Sequence, residues 1–463
     1  MTIILTSPIA ISGISQPIGT TLTLGLAKES DLVNRGFAKW QGINPTETKL
    51  DLVMLNLRRQ LSAVNSPLKK NIMAVPPTLA GQTAFVQPAG WVTPLANAVL
   101  IKALPVNPGA FNNLLRISAP EQLTVAGSFG FNDGTVFNFL YGLAKSGGGG
   151  TGMLVVRWCT DAPYFGMAFT YSPLFMLTIN GEYISATPSS FSVAGSSSNY
   201  VSITNPSRAP REYCLMLSPG VRFGGLAVGP LDAVWAPSPP DLRIVADGDS
   251  YLQLVSSSFS TGIFAEIAMA LGADYSCAPV GGTGYVAING SFPNAQTRIS
   301  QVTSAYDGKA NIVLIALGIN DPMDGTLKAG VTEYFSLLRS SLPNALFIVL
   351  GTWCPAETNG ATYYAGRSAI IFAAVRAAGG KFILIDNING KIETSWSSSL
   401  LSMGNLPWQT GTGKAGALTG VGNGDVYVKS DGVHATEPAG VDYLSDRVYR
   451  AIKIAISDYN FIV

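Results

Sequence analysis

The chain has 463 residues, enough for two or three domains, with 29 Lys+Arg against 28 Asp+Glu and a net charge of only +1. Only 12% of residues are charged while Gly numbers 50 and Pro 28, the composition of a compact, turn-rich β or α/β protein rather than a disordered or coiled-coil one. Near-neutral charge without a Lys/Arg block argues against nucleic acid and against an anionic membrane surface as partners.

Taken in chain order, residues 1–75 read as a small N-terminal attachment or oligomerisation region. The opening stretch to Pro8 has no basic segment of the kind that starts a secretory signal, and Pro8 and Pro17 interrupt it. Short β-like runs are predicted at Ile3–Leu5 and Thr20–Leu24, and a short helix at Glu29–Trp40. Leu50, Val53, Met54, Leu57 and Leu61 recur at helical spacing, which predicts an amphipathic helix over Lys49–Val64. Its apolar face has two readings, packing on its own chain or against a partner subunit.

Residues 76–240 read as all-β, two packed sheets of sandwich or jelly-roll type. Strands are predicted at Phe165–Tyr171 and Phe175–Ile179, and Asn180-Gly181 marks a hairpin with a type I′ turn. Gly147–Gly150 reads as a flexible loop with no strand–helix context for phosphate binding. Ala236–Pro240 forms a stiff linker, where the main boundary is expected.

From Asp241 strand and helix alternate. Strands are expected at Leu242–Ala246, Tyr275–Val280, Asn311–Leu317, Ala345–Leu350 and Lys381–Ile385. Helices are expected at Gln253–Leu271, near Ala295–Tyr306, and at Thr326–Leu342, Thr362–Ala378 and Glu437–Ile456. Five buried strands with intervening helices imply a doubly wound parallel sheet whose ligands bind at the strands' carboxyl ends. Asn387–Ser430 has no regular pattern and reads as a wall of the cleft. Within it, Trp396 and Trp408 either stack on sugar rings or anchor the loop to the core.

Chemistry concentrates at those carboxyl ends. His434 is the only histidine in the chain, so a Ser-His mechanism has one imidazole to use. Ser250, in Gly248-Asp249-Ser250, ends the first strand and is expected to start a helix, where negative charge developing near its N–H is favoured. Gly281-Gly282-Thr283-Gly284 follows the second strand, and Gly318-Ile319-Asn320-Asp321 the third. Asp431 stands three residues before His434 within a turn, a spacing that lets a carboxylate hold one ring nitrogen while the other faces Ser250. Four scattered cysteines, Cys159, Cys214, Cys277 and Cys354, read as buried free thiols. With a single histidine neither zinc nor another cofactor is expected.

These blocks resemble the SGNH (GDSL-type) hydrolase family over about residues 241–463. The resemblance implies a flavodoxin-like α/β fold. It implies a Ser-His-Asp carboxylic ester hydrolase with Ser250 as nucleophile, His434 as general base and Asp431 orienting it. The oxyanion donors would be the Ser250 N–H, the Gly282 N–H and the Asn320 side chain, with Gly281 or Gly284 as alternatives in the second block. Asp249 and Asp321 would be structural, tying loops together. The first block departs from the pattern as Gly-Asp-Ser-Tyr in place of Gly-Asp-Ser-Leu, read as a conservative change. No Gly-x-Ser-x-Gly elbow is present; Gly127-Ser128 comes closest and lacks the first Gly.

The β-rich stretch before the hydrolase blocks is similar in arrangement to two-domain carbohydrate acetylesterases. Pro17–Leu24 with Glu29–Trp40 is similar to leaders of bacteriophage structural proteins. Together these imply an esterase that removes acetyl groups from a polysaccharide, associated with a phage tail and placed in the virion, or otherwise outside the cell without a signal peptide. A homo-oligomer or virion partner would use the N-terminal region. A lipase or thioesterase of the same fold is the alternative enzyme. A non-catalytic glycan-binding tail adhesin is a third reading, whose mark would be a lost catalytic residue, and none is missing.

Overall fold

The computed structural model describes residues 154–459 apart from 171–173, 192–197, 218–220, 230–231, 238–239, 253–262, 354–359 and 404–409. It also describes the helix over 45–63, residues 70–82, and short strands between residues 3 and 142. Gly147–Gly150, Cys354, Trp408 and most of the Glu29–Trp40 stretch therefore lie outside the described residues.

At the N-terminus, Ile3–Leu5 pairs antiparallel with Thr21–Leu22 on one side and Ala38–Trp40 on the other. Residues 38–40, expected to end a helix, are thus a strand. They fill an edge that Ile3–Leu5 would leave open, and pairing overrides local propensity there. Helix α1 (Pro45–Ala63) forms as its spacing predicts. Its Leu52, Val53, Met54, Leu57 and Leu61 are all buried. They pack within the chain: Arg58 Nη2 donates to the Ser457 carbonyl at 3.3 Å, and the Tyr459 hydroxyl donates to Asp51. Of the two readings of this face, the structure takes packing on its own chain.

The next stretch forms two antiparallel sheets around one core. One sheet carries Tyr164–Thr170 between Ser198–Thr204 and Arg222–Val228; the other carries Leu154–Thr160 and Leu174–Ile179 on either side of Arg211–Leu217. Alternation along these strands decides which side chains meet. Val156, Trp158, Phe175, Leu177, Tyr213 and Leu215 face Phe165, Phe169, Val201 and Phe223 of the opposite sheet. Trp158 stacks on Tyr213 at 5.3 Å between ring centroids. The Asn180-Gly181 turn has φ of +51° and +84°, the two positive values a type I′ turn needs.

The intervening residues of the second sheet, Val155, Met176, Cys214 and Met216, face outward and join the core of the following α/β unit. Across this seam Arg157 donates to Asp274 Oδ1 at 3.1 Å and to the Ala273 carbonyl at 3.2 Å. A crevice of about 480 Å³ lies here, lined by Arg157, Glu212, Tyr183 and Tyr275 among others.

The α/β unit is built on β1 (Arg243–Gly248), β2 (Asp274–Pro279), β3 (Ile312–Ala316), β4 (Leu346–Leu350) and β5 (Phe382–Asp386), all parallel in the order β2-β1-β3-β4-β5. Every residue of β3 and β4 is buried, as expected of strands covered on both faces. Helices α2 (Ile263–Ala270), α3 (Ser300–Thr303), α4 (Gly325–Ser341), α5 (Gly360–Ala378), α6 (Gly424–Tyr427) and α7 (Ala439–Ser457) surround the sheet or connect its strands.

Three expectations change. The helix near Ala295–Tyr306 shrinks to α3 followed by a 3₁₀ turn at Ala305–Gly308, because the segment bends around the buried Arg298. The helix expected from Gln253 is described only from Ile263, residues 253–262 lying outside the described residues, and Ser250, expected to start that helix, sits with Tyr251 and Leu252 in a turn. The patternless Asn387–Ser430 contains β6 (Lys391–Thr394) and β7 (Leu401–Ser402), which extend the sheet antiparallel, and also α6. Strand β6 alternates, with Ile392 and Thr394 buried and Lys391 exposed, but four residues are too few to stand out as a period.

Candidate active site

Backbone hydrogen bonds stitch the carboxyl ends of β1, β2 and β3 together. The Val280 N–H donates to the Gly248 carbonyl at 3.0 Å, and the Asp249 N–H to the Ala316 carbonyl at 3.3 Å. All three signature blocks therefore emerge side by side. The turn at 429–435 reaches over them just before α7.

The structure brings Ser250, His434 and Asp431 into one chain of contacts. Ser250 Oγ lies 2.8 Å from His434 Nε2, and His434 Nδ1 lies 2.8 Å from Asp431 Oδ2. The other Asp431 oxygen accepts the backbone N–H groups of Val433 at 2.8 Å and His434 at 2.9 Å. Gly432 sits at φ +77°, a left-handed position that lets the chain turn back so sharply. Partial burial works against ionisation of Asp431, but the His434 N–H, the His434 ring and the Val433 N–H hold its carboxyl down at about 2. An ionised Asp431 places the imidazole proton on Nδ1 and leaves the Nε2 lone pair facing the Ser250 hydroxyl.

Hydrogen bonds tie the second and third blocks to each other. The Asn320 side chain donates one N–H to the Thr283 carbonyl at 3.0 Å, which orients its amide against the second block and leaves a second N–H. Gly284 spends its N–H on the Ala287 carbonyl at 3.0 Å, so that alternative donor is engaged. Gly282 has φ +75°, and a Cβ there would lie 2.4 Å from Asn289 Nδ2, so the turn needs glycine on both counts. Asp321 is fully buried and accepts the Tyr285, Val286 and Ala287 N–H groups at 2.8, 2.8 and 2.9 Å, tying the loop after the second block to the third.

Beneath the site lies a buried polar group of residues the sequence did not flag. Arg298, 3% exposed, donates to Asp247 Oδ1 at 2.8 Å, to the Gly248, Ala278 and Pro293 carbonyls, and to Thr283 Oγ1. Asp247 also accepts the Tyr334 hydroxyl at 2.8 Å. Every guanidinium N–H thus has a partner, the condition under which a buried charge is tolerated. Asp249 accepts the Tyr251 N–H at 3.0 Å through Oδ1, while Oδ2 has no hydrogen-bond partner among the described residues. Burial pushes its carboxyl up to about 7, helped by the nearby Asp321 and Asp247 charges against the pull of Arg298.

The first block's fourth residue proves more than conservative. The Tyr251 hydroxyl donates to the Val433 carbonyl, its ring stacks on Trp353 at 5.3 Å, and it lies 5.8 Å from the His434 ring. The Gly-Asp-Ser-Tyr departure was the one signal in the sequence that marked it. Trp396 packs against the core and makes an edge contact with Tyr459 at 5.1 Å, so it anchors its loop rather than offering a face to a sugar. Cys159, Cys214 and Cys277 are buried and form no disulfide among the described residues. Among the described residues no group of His, Cys, Asp and Glu is arranged to hold a metal ion, and no helix is long and apolar enough to cross a membrane.

No family model and no curated protein matches the sequence. Among solved structures, the chain is similar to a salicylyl-acyltransferase from a tetracycline biosynthetic pathway. The TM-score is 0.51 at 12% identity, over 73% of this chain and 95% of that one. It is also similar to a family two carbohydrate esterase from Clostridium thermocellum, with a TM-score of 0.46 and 14% identity over 72% and 99%. A family two carbohydrate esterase with a carbohydrate-binding domain from Corynascus gives 0.41 and 17% over 65% and 94%. Identities this low speak to fold alone, and the acyltransferase shares that fold over most of both chains.

Proposed function

We propose that this chain is a serine ester hydrolase in which Ser250 is the nucleophile, His434 the general base and Asp431 the residue that orients it. The observation that carries the reading is the unbroken contact chain from Ser250 Oγ through the chain's only imidazole to Asp431. Ser250 Oγ attacks the ester carbonyl carbon while Nε2 takes its proton. The resulting oxyanion receives N–H groups from Ser250, Gly282 and the Asn320 amide. Collapse of the tetrahedral species expels the alcohol, which takes the proton back from the imidazolium. Water, deprotonated by the same nitrogen, then attacks the acyl-serine and releases the acid.

The substrate reading is an acetyl group on a polysaccharide. The polar stretch before the His434 turn and the two-sheet unit preceding the hydrolase blocks support it. The N-terminal resemblance extends the reading to a phage tail acting on a glycan outside the host, with residues 1–75 attaching to a virion partner or to other copies. Immunogold labelling of particles tests that placement. Limited proteolysis near 236–240 tests the proposed division into 76–240 and 241–463.

A lipase or thioesterase is the second reading, and one observation favours it. Leu418 and Val421, in the loop before α6, and Val426, in α6, are 71%, 64% and 56% exposed and would suit an apolar substrate. Acetate release from acetylated glycans, alongside kcat/KM on p-nitrophenyl esters of rising chain length, separates the two. A deacetylase loses activity as the acyl chain grows. A lipase gains, by about 0.8 kcal/mol for each methylene it buries.

A further inference from the structure

We propose that Tyr251 is a positioning residue for the reaction, tethering the turn that carries His434 to the loop that carries Ser250. The inference rests on the ester-hydrolase reading and concerns the residue where this chain departs from the Gly-Asp-Ser-Leu pattern.

The peptide group joining Val433 to His434 is held at both ends. Its carbonyl accepts the Tyr251 hydroxyl, and its N–H donates to Asp431 Oδ1 at 2.9 Å. The plane of that peptide sets where the His434 side chain starts. The His434 carbonyl accepts the Lys429 N–H at 2.7 Å, closing the turn behind it. Tyr251 is bonded directly to Ser250, so the contacts form a ring: Ser250, Tyr251, Val433, His434 and back to Ser250 Oγ. Nucleophile and base, 184 positions apart, are thereby linked twice, once through the reacting contact and once through a group that takes no part in it.

Both the need for such a tether and its rigidity are visible. The His434 and Asp431 side chains are 38% and 45% exposed, on a turn that precedes α7 and has water on one side. Tyr251 is only 7% exposed; its N–H is fixed to Asp249 Oδ1 at 3.0 Å and its ring lies on Trp353, itself 2% exposed. A rigid, buried anchor thus reaches a solvent-exposed turn through one hydrogen bond. Leucine at 251 could fill the space but has no hydroxyl to offer the Val433 carbonyl.

The single histidine makes the test direct, because labelled imidazole gives one set of NMR signals from the full-length protein. Those signals would be recorded for wild type, Tyr251→Phe and Tyr251→Leu, with kcat and KM on p-nitrophenyl acetate measured in parallel. Tyr251→Phe keeps the ring on Trp353 and removes only the tether. The expected result is a displaced or broadened His434 resonance, and a kcat about tenfold to a hundredfold lower with KM little changed, as for a catalytic group held slightly out of place. Tyr251→Leu should do no better than Tyr251→Phe. An unmoved resonance with wild-type kcat overturns the proposal. So does a loss of activity that only tracks loss of folded protein while the folded fraction keeps the wild-type resonance. The resonance requires no turnover, so a wild-type protein that hydrolyses no ester refutes the functional reading separately from the tether.

Discussion

Asp249→Asn should stabilise the protein in a way that depends on pH. The Asp249 carboxyl is buried, has one oxygen without a hydrogen-bond partner among the described residues, and is raised from an ordinary 3.8 to about 7, chiefly by desolvation. The charged groups facing it are Asp247 on β1, Asp321 after β3 and Arg298 before α3. Because a tenfold change in proton affinity is worth about 1.4 kcal/mol, ionising Asp249 costs the native state up to about 4 kcal/mol. The sign follows from which state binds the proton. Below about pH 4 both folded and unfolded chains carry it, and the cost is absent. Between about pH 4 and 7 only the folded chain keeps it, so wild-type stability falls as pH rises; above that the cost is constant. Asparagine is neutral throughout, its Oδ1 can still accept the Tyr251 N–H, and its Nδ2 stands where the protonated carboxyl carries its O–H. Denaturant unfolding of both proteins across this range should show a difference that opens from near zero and levels off above neutrality. A difference independent of pH, or an asparagine variant less stable in mild alkali, would refute the reasoning.

Gly284→Ala would place a Cβ 2.3 Å from Asp321 Oδ2. That carboxylate is buried and holds three N–H groups, so roughly 2–4 kcal/mol of stability should be lost together with activity, read by thermal unfolding and kcat. Asp431→Asn should retain the fold and lower kcat by roughly 10³–10⁴-fold, because the imidazole loses the partner that selects its tautomer; near wild-type turnover would count against the assignment. Asp431 is held at about 2, so its contribution to stability is present above the ordinary carboxylate value and is lost only as pH falls toward 2. Asp431 should therefore contribute no proton of its own to the acid limb of kcat/KM above about pH 4, and a contribution from it there would count against its depressed value.

Much of the architecture was legible because it rests on strong local signals. Strands β1, β3, β4 and β5 were visible as largely apolar runs, since strands covered on both faces carry few polar residues, whereas β2 buries Asp274 and Ser276. The Asn180-Gly181 hairpin was visible because only a few residue pairs tolerate two positive φ values. The site was legible because its residues fall at element ends in a fixed order, which brought Ser250, Asn320, Asp431 and His434 into one region. Long-range contacts left no such trace. Arg298 stands in an ordinary Thr-Arg-Ile stretch, and nothing nearby says that it will meet Asp247, 51 positions away. Strand β6 is too short for its alternation to register, and Ala38–Trp40 became a strand through pairing with residues over thirty positions upstream. The role of Tyr251 depends on a carbonyl 182 positions downstream, so the sequence marked it only as a departure from a pattern.

The central claim is that Ser250 is a nucleophile activated by His434. It is tested most directly by treating the full-length protein with a fluorophosphonate and mapping the adduct by peptide mass spectrometry. The account predicts a single phosphonyl group on Ser250, no adduct in Ser250→Ala, and labelling slowed by roughly a thousandfold or more in His434→Ala. A wild-type protein that stays unlabelled, or one labelled at another serine while Ser250 remains free, would contradict it.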